Sequence, residues 1–280
     1  MARRGADSGA DNIPEGDGMT CSKECLSALL TPPPRGFRLA AAAVVALGSI
    51  FSSTVTSGPR ERQRAAAVPA DQSSVPGAAI PFASEKGKLR IVVNGQELGK
   101  EEFDINPSGS GWVAHGTSEV QTAQGLTRIT GTLELRADGT PVRYQWSTQG
   151  QKKASADIAF KGSTATIELH AEGARPFTQQ FTFNSPQIAI LDNNLYHQYV
   201  VLARLYDWNK RGAQTFSVLV PQDMTPGNVT VESLGKQDVD GKKLDELRVK
   251  SEDLELDLYL DGQRLIRIVG PSANAEIIRE

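Results

Sequence analysis

From Lys88 to Glu280 apolar residues fall on every second position of one strand-length segment after another, and a single stretch of helical period interrupts the series. Side chains two apart share a face of a strand, so such a chain can cover one side of an antiparallel sheet. The turns agree. Asn94-Gly95, Asp138-Gly139, Asp240-Gly241 and Asp261-Gly262 each separate two alternating runs, and these dipeptides supply the positive φ angles that tight hairpins need. Ile129, Leu133 and Leu135 lead into one turn, and Val142, Tyr144 and Trp146 lead out, with Arg128, Thr130, Thr132 and Glu134 on the opposite face. Ala154, Ala156, Ile158 and Phe160, then Ala165, Ile167 and Leu169, form the next hairpin on the same apolar side. Phe177, Phe181 and Phe183 continue it, although Gln179 falls among them and breaks the stripe.

After Asp192-Asn193-Asn194 the period changes. Leu195, Tyr199, Leu202 and Tyr206 recur at steps of four and three, widened by Tyr196, Val200 and Ala203, which predicts a helix over 193–208. Alternation then returns through Phe216, Val218 and Val220, later Leu254, Leu256, Leu258 and Leu260, and finally Ile277 and Ile278. A sheet of ten or more strands has to curl or split. The expected fold is mainly β with one central helix: a long curved antiparallel sheet, a half-barrel, wrapped around the helix.

The first third of the chain reads differently. Residues 1–38 have no apolar period and read as a disordered leader, with synthesis starting at Met1 or Met19. Residues 39–56 form an uncharged apolar run behind Arg35 and Arg38, the layout of a signal peptide or signal anchor. A Pro/Ser/Ala/Gly-rich linker spans 57–84, and 85–280 make a single β-rich domain. The protein is expected to be exported, to the periplasm or beyond, touching membrane only through 39–56 if that segment is kept. Both cysteines, Cys21 and Cys25, precede the run, so the exported part has no thiol for disulfide or nucleophile. From Ser84 onward 22 basic residues face 26 acidic ones, and this mild acidity excludes a nucleic-acid partner.

Ile190-Leu191-Asp192-Asn193-Asn194, then Tyr199, Leu202 and Tyr206-Asp207, then Gly212-Ala213-Gln214-Thr215-Phe216 and Val220-Pro221-Gln222, resemble uncharacterised exported bacterial β-rich domains. Leu258-Tyr259-Leu260-Asp261-Gly262-Gln263-Arg264-Leu265 is similar to the closing hairpin of those domains. In architecture they are distantly similar to the lipoprotein-localisation factors, periplasmic lipoprotein carriers whose half-barrel encloses an apolar cavity. The resemblance covers roughly the last two hundred residues and implies a carrier-like fold.

Chemistry-bearing residues form no pattern of their own. His115, His170 and His197 make no metal-binding pair and read as partly exposed strand or helix residues, so neither metal nor cofactor is expected. Ser108-Gly109-Ser110-Gly111 reads as a turn rather than a nucleophile elbow. Glu101, Glu102 and Asp104 read as edge or turn residues, and Glu255 and Asp257, alternating with leucines, as a wet face. Asp238-Val239-Asp240-Gly241 lacks the glycine spacing of a calcium loop and reads as a hairpin. What remains is aromatic. Trp146, Tyr144 and Phe160 on strands, with Tyr196, Tyr199, Leu202 and Tyr206 on the helix, would line a cavity between sheet and helix. The leading expectation is therefore a non-catalytic exported protein holding a lipid or acyl-like ligand there. The alternative is an accessory or protein-interaction domain of the cell envelope with a filled core, and a hydrolase is the third reading.

Overall fold

A computed structural model describes residues 82–122, 125–151 and 153–280; the leader, the apolar run at 39–56 and nearly all of the linker lie outside the described residues. The described residues are mainly β, with one α-helix and a single open sheet of 15 strands. In chain order the strands are β1 (Glu85–Val93), β2 (Gln96–Ser108), β3 (Gly111–Thr122), β4 (Gly125–Leu135), β5 (Pro141–Gln149), β6 (Ala154–Lys161), β7 (Thr164–Ala171) and β8 (Phe177–Thr182). Then come β9 (Ile188–Ile190), the helix α1 (His197–Leu205), β10 (Gln214–Val220), β11 (Thr225–Val239), β12 (Lys242–Lys250), β13 (Glu255–Asp261), β14 (Arg264–Gly270) and β15 (Ala275–Arg279).

Two meanders make up the sheet. β1 pairs with both β2 and β15, so the first and last strands meet in its middle, and β8 and β9 form its two edges. These edges are consecutive in the chain, joined only by residues 183–187. Six residue steps reach roughly 22 Å at most, whereas 15 strands laid flat would part the edges by about 67 Å. The two edges therefore lie closer together than they would in a flat sheet of that width.

Thirteen of the fourteen pairings follow the antiparallel expectation. The exception is β9, which runs parallel to β10 with α1 as the crossover, so the sheet is mixed. Hairpin chemistry cannot specify that pairing, because it depends on where a long connection returns. The helix is also shorter than the predicted 193–208. Asn194 has φ 63°, outside the helical region, and Tyr206 is already extended, leaving nine residues, every one buried.

Alternation places the core well. Leu89, Ile91, Ile105, Leu133, Ile158, Ile167, Leu247, Leu258 and Ile268 are all inward, and one hydrophobic cluster joins both meanders to the helix. Each such side chain contributes about 2 kcal/mol on burial. Three expected positions differ. Val142 is exposed and Pro141 buried, because Glu134 pairs with Arg143 but Leu135 with Pro141, a bulge that reverses the parity at the strand's start. Phe177 is 51% exposed at the edge, where no further strand covers it. Asp257 lies opposite the leucines as read, yet it is buried rather than wet, because the Arg248 guanidinium covers it and donates to it at 2.7 Å. Asp238–Gly241 is indeed a hairpin, with the Gly241 amide donating to Asp238 at 3.1 Å. Phe82, assigned to the linker, is already buried against Trp112, and the Arg204 guanidinium donates to the Ala83 carbonyl at 2.9 Å.

Candidate functional site

Four buried polar side chains, Glu101, Asp192, His197 and Gln198, converge on the start of α1. A helix leaves its first amides without intrahelical partners, and here a carboxylate from another strand supplies them. Glu101, in the middle of β2, shares the inward parity of Phe103 and Ile105 and is completely buried. Its Oε2 accepts from the Tyr196 amide at 2.6 Å, and both oxygens accept from the His197 amide at 3.3 Å. The His197 ring completes the clamp, with Nδ1 2.5 Å from Oε1. A carboxylate at a helix N-terminus also meets the positive end of the macrodipole.

Both residues depart from the sequence reading. Glu101 is neither an edge nor a turn residue, while Glu102 and Asp104 do point outward; His197 is fully buried, not partly exposed. His115 and His170 lie on strands and keep access to solvent. Two strand glycines make room for side chains at the start of the helix and beside it. Gly116 on β3 and Gly131 on β4 stand directly opposite each other. A Cβ at Gly116 would lie 2.3 Å from His197 Nδ1, and one at Gly131 2.7 Å from Leu195 Cδ1. Replacing Gly116 by Ala is therefore expected to lower stability by about 2–3 kcal/mol, read as a drop in the thermal midpoint; an unchanged midpoint would refute the tight fit.

A second hub sits just before the helix. Asp192 Oδ2 accepts from the Tyr144 hydroxyl at 2.8 Å, and Oδ1 accepts from the Gln222 amide at 2.8 Å. Gln198 closes the ring, donating to Tyr144 Oη at 3.0 Å and accepting from the Asp192 amide at 2.5 Å. Burial pushes the Asp192 carboxyl up to about 7, against the lowering effect of the hydrogen bonds from Gln222 and Tyr144. Burial likewise raises the Tyr144, Tyr196 and Tyr199 hydroxyls. The hub ties β5, the β9–α1 connection and the turn after β10 together.

The seven aromatic and aliphatic residues singled out by sequence do come together. Tyr144, Trp146 and Phe160 from β5 and β6 join Tyr196, Tyr199, Leu202 and Tyr206 in one apolar cluster. They join it as packed core. None exposes more than 7% of its surface, and Tyr144 and Leu202 expose nothing. The Tyr206 hydroxyl is itself occupied, donating to the Gly212 carbonyl at 2.8 Å.

Open space lies instead on the outer face. A hollow of about 740 Å³ runs over β1–β4, lined by Lys86, Lys88, Lys100, Arg128, Glu102 and Glu119 among others. Strand register builds it: Lys88 lies opposite Glu102, Lys100 opposite Glu119, and Glu119 opposite Arg128. Lys88 and Glu102 meet at 2.6 Å and Arg128 and Glu119 at 3.0 Å. The Lys88 hydrogen bond lowers the Glu102 carboxyl, and Glu102 in turn raises the Lys88 amine. These pairs are exposed to solvent, and each contributes little to the fold. Among the described residues no group of three His, Cys, Asp or Glu side chains is placed to hold a metal ion, and no helix is long and apolar enough to cross a membrane. The sequence matches no protein-family model and no curated protein at a significant level.

Proposed function

We propose that this chain is an exported, non-catalytic accessory domain of the cell envelope, a half-barrel sheet closed on a solid core, which engages a partner protein through the charged hollow over β1–β4. The observation that carries this reading is the packing at the helix: Tyr199 and Leu202 are 3% and 0% exposed, which favours binding on the outside. The half-barrel is supported by the five-residue connection between the sheet's edges and by the burial of every residue of α1. Export rests on the apolar run at 39–56 and the arginines before it. Alternating charges on adjacent strands suit a polar, mixed-charge protein segment, because each ion pair can be traded for an equivalent one across the interface.

The test places a photo-crosslinking residue at Thr117, inside the hollow, in the full chain expressed in its bacterial envelope. A discrete protein adduct is expected, and Lys88→Glu combined with Lys100→Glu is expected to remove it while leaving thermal unfolding within a few degrees. Native mass spectrometry of the same preparation separates the carrier reading. A bound acyl mass without any adduct at Thr117 would overturn the proposal in favour of a lipid held between sheet and helix.

A further inference from the structure

Residue Gln179, which interrupts the phenylalanine stripe, lies in the strand that the fold leaves with an open side. β8 is an edge of the sheet, and from Pro176 to Gln187 the chain carries no charge. Sheet edges are ordinarily blunted by charge, bulges or extreme shortness. The other edge follows that rule, since β9 is three residues long and wholly buried. β8 pairs with β7 over six residues without a register shift, so it is straight, and its Phe177 is 51% exposed. The backbone phase is fixed by the Phe183 amide, which donates to the Ser163 carbonyl on the β7 side at 2.8 Å. Alternate residues of a strand turn their amide and carbonyl to opposite sides. Residues 177, 179 and 181 therefore face β7, and Thr178, Gln180 and Thr182 present theirs outward.

We propose that β8 pairs antiparallel with β8 of a second copy of this chain about a twofold axis at Gln179, joining two sheets into one. In this register Thr178 of one copy and Gln180 of the other exchange two backbone hydrogen bonds, and the symmetry repeats them. Pro176, which has no amide proton, ends the ladder opposite Thr182. On the core side Phe177 faces Phe181 of the other copy at both ends, and Gln179 faces Gln179. These fall at the sites without backbone hydrogen bonds, where cross-strand side chains come closest. Shifting the axis to Gln180 keeps the backbone phase but sets the Gln179 amide against Phe181, leaving polar and aromatic groups mismatched. The Gln179 register alone pairs like with like, so a residue that spoils a continuous apolar face specifies the dimer instead. A second copy fits this edge better than a foreign strand, because the uncharged run offers nothing to steer one, whereas a twofold supplies each Phe and Gln with its counterpart.

This inference goes beyond the partner-binding reading and uses a different surface, so either can fail alone. Sedimentation of the full chain at micromolar concentration is expected to show a dimer. Gln179→Lys places like charges face to face on the axis and an inward charge on a monomer edge, which folds tolerate. It is expected to weaken self-association by about tenfold or more with unfolding unchanged. In a Cys21→Ser, Cys25→Ser background, Gln179→Cys is expected to form a covalent dimer under mild oxidation, and Thr182→Cys, facing Pro176, is expected not to. A wild-type monomer at about 100 µM, a dimer indifferent to Gln179→Lys, or cross-linking at position 182 in preference to 179 each overturns the proposal.

Discussion

Glu101→Ala is expected to lower the unfolding free energy by about 3–5 kcal/mol. The substitution strands the Tyr196 amide, the His197 amide and His197 Nδ1 at the sealed N-terminus of the helix. Each unsatisfied buried donor costs about 1–3 kcal/mol, and water cannot reach them without parting β2 from the helix. His197 Nε2 already has no hydrogen-bond partner, so the ring has no second anchor to fall back on. Urea denaturation of the full chain reads the loss as a lower midpoint. Glu101→Gln keeps one acceptor oxygen and is expected to fall between the two. A loss below about 1 kcal/mol for the alanine variant would show that the clamp does not hold the helix.

The second large effect is on pH dependence. The Asp192 carboxyl, raised by burial from 3.8 to about 7, takes up a proton on folding throughout the interval between those values. Its contribution to stability is therefore fully present below the unfolded value and is lost as pH rises through about 7. The full span corresponds to about 4 kcal/mol. Asp192→Asn keeps the shape but not the titration. Wild type is thus expected to lose about 4 kcal/mol relative to the variant between pH 4 and 8, measured by denaturant titration at each pH. Parallel curves would mean that Asp192 is charged inside the fold and that Tyr144 and Gln222 suffice to hold it so.

Glu101 shows what strand periodicity can and cannot carry. The alternation of Phe103 and Ile105 was legible, and it already put Glu101 on the inner face; a short acidic run made the segment look like a turn. A charge at an apolar position, together with solitary glycines at 116 and 131 inside otherwise alternating runs, was the available signal for a close approach by another element. The partner of that charge could not be read, because His197 lies 96 residues away and only the crossover of α1 brings it there. The hairpins at Asn94, Asp138, Asp240 and Asp261 were readable because their geometry is local. The parallel β9 and the bulge at Val142 were not, since one depends on a long connection and the other on a single extra residue between well-formed turns. The seven residues gathered under the helix were identified correctly as neighbours, but periodicity reports which face a side chain takes and says nothing of the volume left between faces.

β1 and β15 lie side by side at the middle of the sheet, with Leu89 opposite Arg279 and the Asn94 amide donating to the Asn274 carbonyl at 2.9 Å. Bringing together strands 190 residues apart is entropically the most demanding step of assembly. Every hairpin can zip locally as it is made, but the backbone ladder between the two wings has to wait for residues 275–279. A chain emerging vectorially, from a ribosome or through a membrane pore, thus keeps this seam open until residues 275–279 have emerged, and only then can β1 and β15 zip together.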